Sequence, residues 1–177
     1  MYPLVEETIT SEELFKGRII SVRRDTVRLP NGHTSTREVV HHNGGAGIVA
    51  LNDKGEVALV RQFRYAVGQV LYEIPAGKIE PGEPPIETAR RELGEEAGLT
   101  ADSLTEFGQI IPTCGYCDEI IYLFLATGLH ETHQNLDEDE FVEPLWLPLA
   151  EAKQMVLNGE ITDSKTVVGL LRACLEE

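Results

Sequence analysis

The sequence predicts an α+β fold. Segments typical of strands and of helices are mixed along the 177 residues. They do not follow the regular strand–helix–strand alternation of a doubly wound parallel sheet. Hydrophobic residues make up 42% of the chain and charged residues 25%, as in ordinary globular proteins. A chain of this length buries enough surface to form a core without disulfide or metal support.

The first predicted element is a β-hairpin. Residues Ile19–Leu29 are rich in β-branched side chains and stop at a Pro-Asn-Gly turn. A second β-rich run, Thr36–His42, follows that turn, and an Asn-Gly-Gly sequence then interrupts the pattern. We therefore predict an N-terminal hairpin region over residues 1–43 and a main domain over residues 44–177.

The main domain is predicted to contain further strands and three helices. Short apolar runs bounded by turn residues predict strands at Ala46–Leu51, Glu56–Phe63, Val70–Ile74, Leu104–Ile111, Ile120–Ala126 and Phe141–Leu147. The helices are predicted at Pro85–Ala97, Leu149–Leu157 and Ser164–Leu175. Proline in its first turn favours the start of the first helix, and Gly98 is a natural C-terminal cap for it.

The charge of the chain excludes several classes of partner. The formal net charge is −15, which argues against nucleic acid and against anionic membrane surfaces. A phosphate-bearing small molecule remains compatible if a divalent cation lies between it and the protein. No apolar run approaches the length of a membrane span. Three cysteines and no signal-peptide pattern at the start predict a cytoplasmic location.

The first predicted helix carries three acidic residues on one side. Glu92, Glu95 and Glu96 are spaced so that they lie together beside the apolar stripe of the helix. Like charges at this spacing repel, and the C-terminal end of a helix disfavours negative charge. The pattern fits either a solvated acidic face or a divalent-cation site, for which Mg²⁺ is a suitable ion.

The surrounding motif favours the cation site. From Gly77 to Leu99 the sequence reads GKIEPGEPPIETARRELGEEAGL. This is the spacing of the Nudix box: Gly, five residues, Glu, seven residues, Arg-Glu, an apolar residue, any residue, Glu-Glu, any residue, Gly and an apolar residue. The chain thus resembles the Nudix hydrolases. The resemblance implies an α/β/α sandwich with a mixed sheet, here with an N-terminal β-hairpin unit.

The resemblance also implies a chemistry and a metal. Nudix hydrolases cleave a nucleoside diphosphate that is linked to another group. It implies that Mg²⁺, with Mn²⁺ as an alternative, is held by Glu92, Glu95, Glu96 and the main-chain carbonyl of Ala76. Arg91 would pair with the glutamates and orient them, so that Arg91 and Glu95 are also candidates for catalysis.

Further segments resemble the ADP-ribose pyrophosphatase branch. They include Arg37-Glu38-Val39-Val40, Arg61-Gln62-Phe63-Arg64, Glu73-Ile74-Pro75-Ala76-Gly77 and the acidic run before Phe141. The resemblance implies a small-molecule nucleotide-sugar substrate, cleavage to AMP and a sugar phosphate, and a homodimer formed through the N-terminal hairpin. It implies substrate binding by Arg37 at the adenine or ribose end and by Arg64 at the diphosphate. Further candidate binding residues are Glu73, Gly115 and Glu119.

Other substrates remain open. Position 114 is a cysteine, whereas members of the ADP-ribose branch usually have proline about fifteen residues beyond the box. GDP-mannose and ADP-glucose are therefore alternatives. A non-catalytic ADP-ribose-binding module is disfavoured, because such modules usually lose box glutamates. Cys114 and Cys117 form a C-x-x-C pattern, but redox or zinc roles are disfavoured because no βαβ context or second ligand pair accompanies it.

The candidates for the general base lie C-terminal to the Nudix box. The run Asp137–Glu140 is an acidic cluster that immediately precedes a predicted strand. A base must come within hydrogen-bonding distance of the attacking water and must not be committed to the metal. We therefore predict Glu140 as the base, with Glu138 as second choice.

Overall fold

The computed structural model describes residues 3–136, 138 and 140–176. The chain divides into two compact units. The N-terminal unit comprises the residues up to Gly44 together with Ile111–Ile120, and the main unit comprises Gly45–Ile110 and the chain from Ile121 onward.

The N-terminal unit is built on a three-stranded antiparallel sheet. Its strands are β1 (Glu7–Lys16), β2 (Ile20–Arg28) and β3 (Thr34–His42), with β2 in the centre. The predicted hairpin corresponds to β2 and β3. The sequence did not reveal β1, because all ten of its residues are exposed and it therefore lacks the apolar alternation that marks a half-buried strand.

A distant loop completes this unit. Residues Ile111–Ile120 run beside β3, where the N–H of Val40 donates to the carbonyl of Tyr116 at 2.7 Å. The N–H of Asp118 donates back to the carbonyl of Val40 at 3.1 Å. The predicted division at residue 43 had placed this loop in the main domain. Backbone pairing between segments so far apart in sequence leaves no local pattern from which it could be predicted.

The main unit contains a mixed seven-stranded sheet. Its strands are β4 (Gly45–Leu51), β5 (Glu56–Arg64), β6 (Gln69–Glu73), β7 (Ala76–Lys78), β8 (Leu99–Ile110), β9 (Ile121–Glu131) and β10 (Val142–Pro148). The order is β10-β5-β4-β9-β8, while β6 pairs with β5 and β7 with β4. The pairing of β4 with β9 is parallel and the other pairings are antiparallel. The prediction of a mixed sheet is confirmed.

Helices cover both faces of this sheet. They are α1 (Pro85–Ala97), α2 (Leu149–Asn158) and α3 (Ser164–Glu176). Alternate residues of β4 point to opposite faces, so Ile48 packs in one core with Leu93 of α1. Val49 packs in a second core with Ala152 of α2 and Leu170 of α3. The predicted α/β/α sandwich is confirmed, and it holds α1 against the centre of the sheet.

The strands differ from the prediction at several points, and β9 extends to Glu131, five residues beyond its predicted end at Ala126. β8 begins at Leu99, five residues before the predicted start, and β7 had not been predicted. In the first part of β8, Thr100, Asp102 and Ser103 are exposed polar residues, so this stretch lacks the apolar pattern that predicts a strand. In the described part of the chain, no helix is long and apolar enough to cross a membrane.

Candidate metal and diphosphate site

The helix α1 presents its acidic residues to the short strand β7. It begins with Pro85 in its first turn and ends at Gly98, whose φ of 64° is the left-handed conformation that glycine adopts without strain. Two of its three predicted ligands are almost fully buried, Glu92 with 8% and Glu96 with 4% of their surface exposed. The Glu95 side chain is partly exposed. The helix therefore carries carboxylates into the interior instead of into solvent.

Close approach between α1 and the chain around β7 depends on glycine. A Cβ atom at Gly77 would lie 1.7 Å from Oε1 of Glu92, which is far inside any allowed contact. The backbone N–H of Ala76 donates to Oε2 of Glu96 at 2.8 Å. The residues Ala76 and Gly77 thus form a cradle for the two buried carboxylates.

Arg91 ties the acidic groups together. Its Nη1 donates to Oε1 of Glu92 at 2.6 Å and to Oε2 of Glu95 at 2.8 Å. On its other side the guanidinium contacts Glu83 at 3.4 Å, and Thr88 donates its hydroxyl proton to the same Glu83 at 2.7 Å. Glu83 accordingly holds Arg91 and the loop before the helix, and bonds from Arg91 and Thr88 lower the pKa of Glu83 to about 2.

The buried carboxylates nevertheless carry more negative charge than their surroundings stabilise. Burial raises the pKa of Glu96 to about 7, and the charges of Glu92 and Glu140 add to that effect. Burial also raises the pKa of Glu92, although Arg91 opposes the shift. Two acids with raised pKa values in one cradle are arranged so that a cation would stabilise their ionised forms.

The donor set fits a hard divalent cation. Carboxylate oxygens of Glu92, Glu95 and Glu96 and the carbonyl oxygen of Ala76 are the ligand types that Mg²⁺ and Mn²⁺ take. Among the described residues, no group of three or more His, Cys, Asp or Glu side chains converges as a preformed metal site. Arg91 instead bridges Glu92 and Glu95. Whether these predicted residues bind metal stays a prediction.

The predicted base belongs to the same electrostatic environment. The charge of Glu140 contributes to the raised pKa values of both Glu92 and Glu96. Glu140 also lines a cleft of about 410 Å³ together with the exposed rings of Phe63 and Phe141. Asp137 and Asp139, the two aspartates of the predicted acidic run, lie outside the described residues.

One residue that sequence reasoning missed anchors the segment carrying Glu140. The side-chain amide of Gln134 donates to the carbonyl of Glu96 at 2.7 Å and to the carbonyl of Val142 at 3.2 Å. Gln134 therefore connects the end of α1 with the start of β10. Gln134 precedes the acidic segment in sequence and Val142 follows it, so this bond fixes both ends of the segment that carries Glu140. A glutamine in a polar stretch has no spacing or motif that would single it out.

A second polar group surrounds Arg64. The guanidinium of Arg64 forms two parallel hydrogen bonds of 2.7 Å each with the carboxylate of Glu73. Lys165 on α3 also donates to Glu73, and these bonds hold the pKa of Glu73 below its ordinary value although burial opposes them. Glu73 has only 1% of its surface exposed, and its carboxylate accepts hydrogen bonds from Arg64 and Lys165. A direct contact of Glu73 with substrate stays a prediction.

The remaining predicted binding residues lie in the N-terminal unit. Arg37 pairs with Glu6 through bonds of 2.9 and 2.6 Å. Arg37 and Gly115 line one cavity of about 510 Å³, to which Cys114 and Cys117 also contribute. Glu119 lies 3.2 Å from Nδ1 of His42. The structure thus brings Arg37 and Gly115 to one cavity within this unit.

The loop that carries Glu119 is held by a neighbouring acid. Nδ1 of His41 lies 3.0 Å from Oδ2 of Asp118, and the N–H of His42 donates to Oδ1 at 3.1 Å. Partial burial opposes ionisation of Asp118, but these bonds and the charge of Arg23 keep its pKa below the ordinary value. Asp118 therefore fixes the loop to the end of β3.

Two protein-family models together match most of the chain. Residues 41–168 match the model of the NUDIX domain. Residues 6–40 match the model of the nucleoside diphosphate sugar hydrolase N-terminal domain. A solved structure described as an ADP compounds hydrolase superposes with a TM-score of 0.84 at 23% identity, covering 97% of this chain and 94% of that one. At this identity the superposition shows the shared fold.

Curated relatives span nearly the whole chain. An ADP-ribose pyrophosphatase of Bacillus subtilis (strain 168) is 42% identical over 100% of this chain and 97% of its own length. The methanol dehydrogenase activator of Bacillus methanolicus is 41% identical, covering 97% and 94%. An ADP-ribose pyrophosphatase of Mycobacterium tuberculosis (strain ATCC 25618 / H37Rv) is 44% identical, covering 93% and 81%. The resemblance predicted from the box is confirmed, and the chain belongs to the Nudix family.

Proposed function

We propose that this protein hydrolyses the diphosphate linkage of ADP-ribose, or of a similar nucleoside diphosphate sugar, to AMP and a sugar phosphate. The observation that carries the proposal is the pair of buried carboxylates, Glu92 and Glu96, gathered in the cradle of Ala76 and Gly77. The names of the Bacillus subtilis and Mycobacterium tuberculosis relatives support ADP-ribose as the substrate.

A divalent metal ion is part of this proposal. Nudix hydrolases generally use divalent metal ions, and we propose Mg²⁺, with Mn²⁺ as the alternative. Glu92, Glu95, Glu96 and the carbonyl of Ala76 would hold it. When bound, such an ion neutralises diphosphate charge and makes a coordinated water a stronger nucleophile.

The side chains around the ion would divide the remaining work. Glu140 would accept the proton of the attacking water at its carboxylate, since its charge already acts on Glu92 and Glu96. Arg64 would bind diphosphate oxygens. A guanidinium has five N–H donors, and Glu73 accepts hydrogen bonds from Nε and Nη2 of Arg64. Arg91 would keep the glutamates in place, with Glu95 assisting catalysis.

The N-terminal unit is proposed to serve substrate recognition. Arg37, Gly115 and Glu119 would contact the nucleoside part of the substrate, since Arg37 and Gly115 share a cavity. The match of residues 6–40 to the N-terminal domain of nucleoside diphosphate sugar hydrolases supports this role. Residues 1–43 would act together in recognition and in dimerisation.

We also propose a homodimer formed through this unit. Several large apolar side chains near its strands are exposed: Leu4, Val5, Ile9, Leu14, Phe15, Ile19 and Ile20. Large apolar side chains that are exposed within the short stretch of residues 4–20 favour an interaction surface. Sedimentation velocity at micromolar concentration is expected to give a dimer, and a fully active monomer would refute the proposal.

A panel of substrates tests the activity. We expect release of AMP from ADP-ribose in the presence of Mg²⁺ and no release in the presence of excess EDTA. GDP-mannose and ADP-glucose complete the panel, because Cys114 occupies the position of the usual proline. Faster turnover of GDP-mannose than of ADP-ribose would overturn the substrate assignment while leaving the hydrolase assignment in place. The low, odd number of cysteines, Cys114, Cys117 and Cys174, suits the cytoplasmic location that we propose.

A further inference from the structure

A lysine is buried beside the proposed diphosphate-binding arginine. Lys165 lies in the first turn of α3 and has 6% of its surface exposed. Lysine is almost never buried to this extent unless its ammonium group is paired. Its Nζ donates to Oε2 of Glu73 and, at 3.0 Å, to Oδ2 of Asp163. Such burial is costly, and it therefore calls for an explanation.

The first turn of α3 is joined to the end of β6. The N–H and hydroxyl groups of Thr166 donate to Oδ2 of Asp163 at 3.0 and 2.6 Å. The hydroxyl oxygen of Thr166 also accepts the N–H of Ile74, the residue after Glu73, at 2.9 Å. Because Thr166 follows Lys165 directly, these bonds fix Lys165 with respect to Glu73.

Glu73 in turn determines where Arg64 points. Two hydrogen bonds of 2.7 Å hold Nε and Nη2 of Arg64 against its carboxylate. The Arg64 side chain is 42% exposed, whereas that of Glu73 is 1% exposed. The exposed part of the guanidinium is therefore aimed by a buried carboxylate, and Oε2 of that carboxylate is shared with Lys165.

Charge gives Lys165 a second effect. The two cations Arg64 and Lys165 match the two acids Glu73 and Asp163. Without Lys165, the buried carboxylate of Glu73 would be paired with Arg64 alone, and one negative charge would be in excess beside a group that must attract a diphosphate. A like charge close to a binding site opposes an anionic ligand.

We propose that Lys165 is a positioning residue for substrate binding, which acts through Glu73 on Arg64 and does not itself contact the diphosphate. This inference rests on the proposed function for the identity of the ligand. It assigns a role to a residue outside the Nudix box, and it separates Arg64, which would touch substrate, from the two buried groups that hold Arg64 in place.

A double-mutant cycle on the full-length protein tests the proposal. With ADP-ribose and Mg²⁺, Lys165→Met is expected to raise KM about tenfold and to change kcat less than about threefold. In an Arg64→Met background, the same substitution is expected to change KM less than about twofold, because the group through which it acts is gone. Lys165→Gln, which keeps an uncharged N–H donor on a side chain one methylene shorter, covers the case in which Lys165→Met does not fold. Lys153→Met, at an exposed lysine of α2, is the matched control and should leave KM unchanged.

A spectroscopic measurement does not depend on turnover. The Nε–H proton of Arg64 should give a protected signal in ¹H–¹⁵N spectra of the wild-type protein, because it is bonded to Glu73. Lys165→Met or Lys165→Gln should shift or broaden that signal, whereas Lys153→Met should not. A Lys165 variant that keeps both the wild-type signal and the wild-type KM overturns the proposal.

The outcomes separate this inference from the proposed function. A wild-type protein that hydrolyses nothing in the nucleotide-sugar panel would refute the proposed function, and the Arg64 signal would still decide whether Lys165 positions Arg64. If the wild type is active but Lys165→Met raises KM equally with and without Arg64, the positioning role of Lys165 is refuted and the proposed function is not.

Discussion

Two groups of buried carboxylates lie in the main unit, and they differ in how their charge is balanced. In the first, Glu92 and Glu96 are almost fully buried and their pKa values are raised by that burial. In the second, Glu73 is buried still more completely, yet Arg64 and Lys165 keep its pKa below the ordinary value. Burial is common to both groups, and the number of cations beside the acid differs.

The difference distinguishes the group that we propose binds a cation from the group that holds Arg64 in place. Around Glu73, the two cations Arg64 and Lys165 form ion pairs with the two acids Glu73 and Asp163, although the charge of Arg64 also reaches Glu96. In the group on α1, Arg91 contacts Glu83, Glu92 and Glu95, and the buried Glu96 accepts the N–H of Ala76. Uncompensated buried charge lowers stability unless a ligand offsets it. The group on α1, whose buried charge is less fully balanced, is therefore the one that we expect to bind a cation.

The largest expected effect is on catalysis at the group on α1. Glu96→Gln should lower kcat by about 10⁴-fold with Mg²⁺ present, because loss of a ligand removes several kcal/mol of transition-state stabilisation. Steady-state kinetics with ADP-ribose measure the effect. Glu87→Gln is the matched control, since Glu87 is exposed on the same helix, and it should retain wild-type activity. Near-normal turnover of Glu96→Gln at low Mg²⁺ would contradict the ligand assignment.

The next effect concerns the proposed base. Glu140→Gln should lower kcat by about 10²–10⁴-fold while KM and metal affinity change little, because a general base acts mainly in the transition state. The substitution is compared with Glu138→Gln, the second choice, which should have a much smaller effect. If Glu140→Gln raises KM and leaves kcat intact, Glu140 binds substrate and the base must be sought elsewhere.

The pH dependence of stability provides a third test of the contrast. In the metal-free protein the pKa of Glu96 is about 7, above its ordinary value of 4.5, so the folded state binds more protons than the unfolded state between these pH values. The stability that protonated Glu96 contributes is complete below about pH 4.5 and is lost as pH rises through 7, a change of about 3 kcal/mol.

Denaturant titration in EDTA between pH 5 and pH 8 measures this loss. Glu96→Gln should flatten the profile and make the metal-free protein more stable than wild type at pH 8. Mg²⁺ should restore stability to the wild type at pH 8 more than to the variant. Glu73→Gln is the contrasting substitution. It should destabilise the protein at pH 8, because the low pKa of Glu73 makes its ionised form the stabilising one. Equal pH profiles for wild type and Glu96→Gln would remove the distinction between the two groups.

Local patterns in the sequence were sufficient to predict most of the helices and strands, whereas the α/β/α sandwich was predicted from the resemblance to the Nudix hydrolases. The helices at Pro85–Ala97 and Leu149–Asn158 follow their prolines, their glycine caps and their apolar spacing, and the box placed three acids on one helix face. The strand Glu7–Lys16 could not be predicted, because an exposed edge strand is held by backbone bonds and needs no apolar pattern. The loop Ile111–Ile120 joins the N-terminal unit through equally non-local pairing.

The supporting residues of the site were harder to predict than its acids. Lys165 follows Ser164 at the start of an amphipathic helix, where a lysine is normally solvated, and its burial appears only once Glu73 is brought against α3. Gln134 is equally inconspicuous in sequence, although it bridges two distant carbonyls. Motifs reveal residues whose spacing is constrained by chemistry, whereas groups that orient those residues are recruited from wherever the fold brings a suitable side chain.

The smallest expected effects distinguish two adjacent arginines on α1. Arg91 contacts Glu83, Glu92 and Glu95, whereas Arg90 lies exposed at 3.6 Å from the exposed Glu87. Arg91→Gln should lower kcat/KM by about 10–100-fold, the usual cost of removing a group that orients metal ligands. Arg90→Gln removes the same charge one residue away and should change kcat/KM less than about twofold and the free energy of unfolding by less than about 0.5 kcal/mol. Equal losses in both variants would mean that the net charge of the helix matters and the geometry around Glu92 does not. That result would remove the physical basis for treating the acidic group on α1 as an organised site.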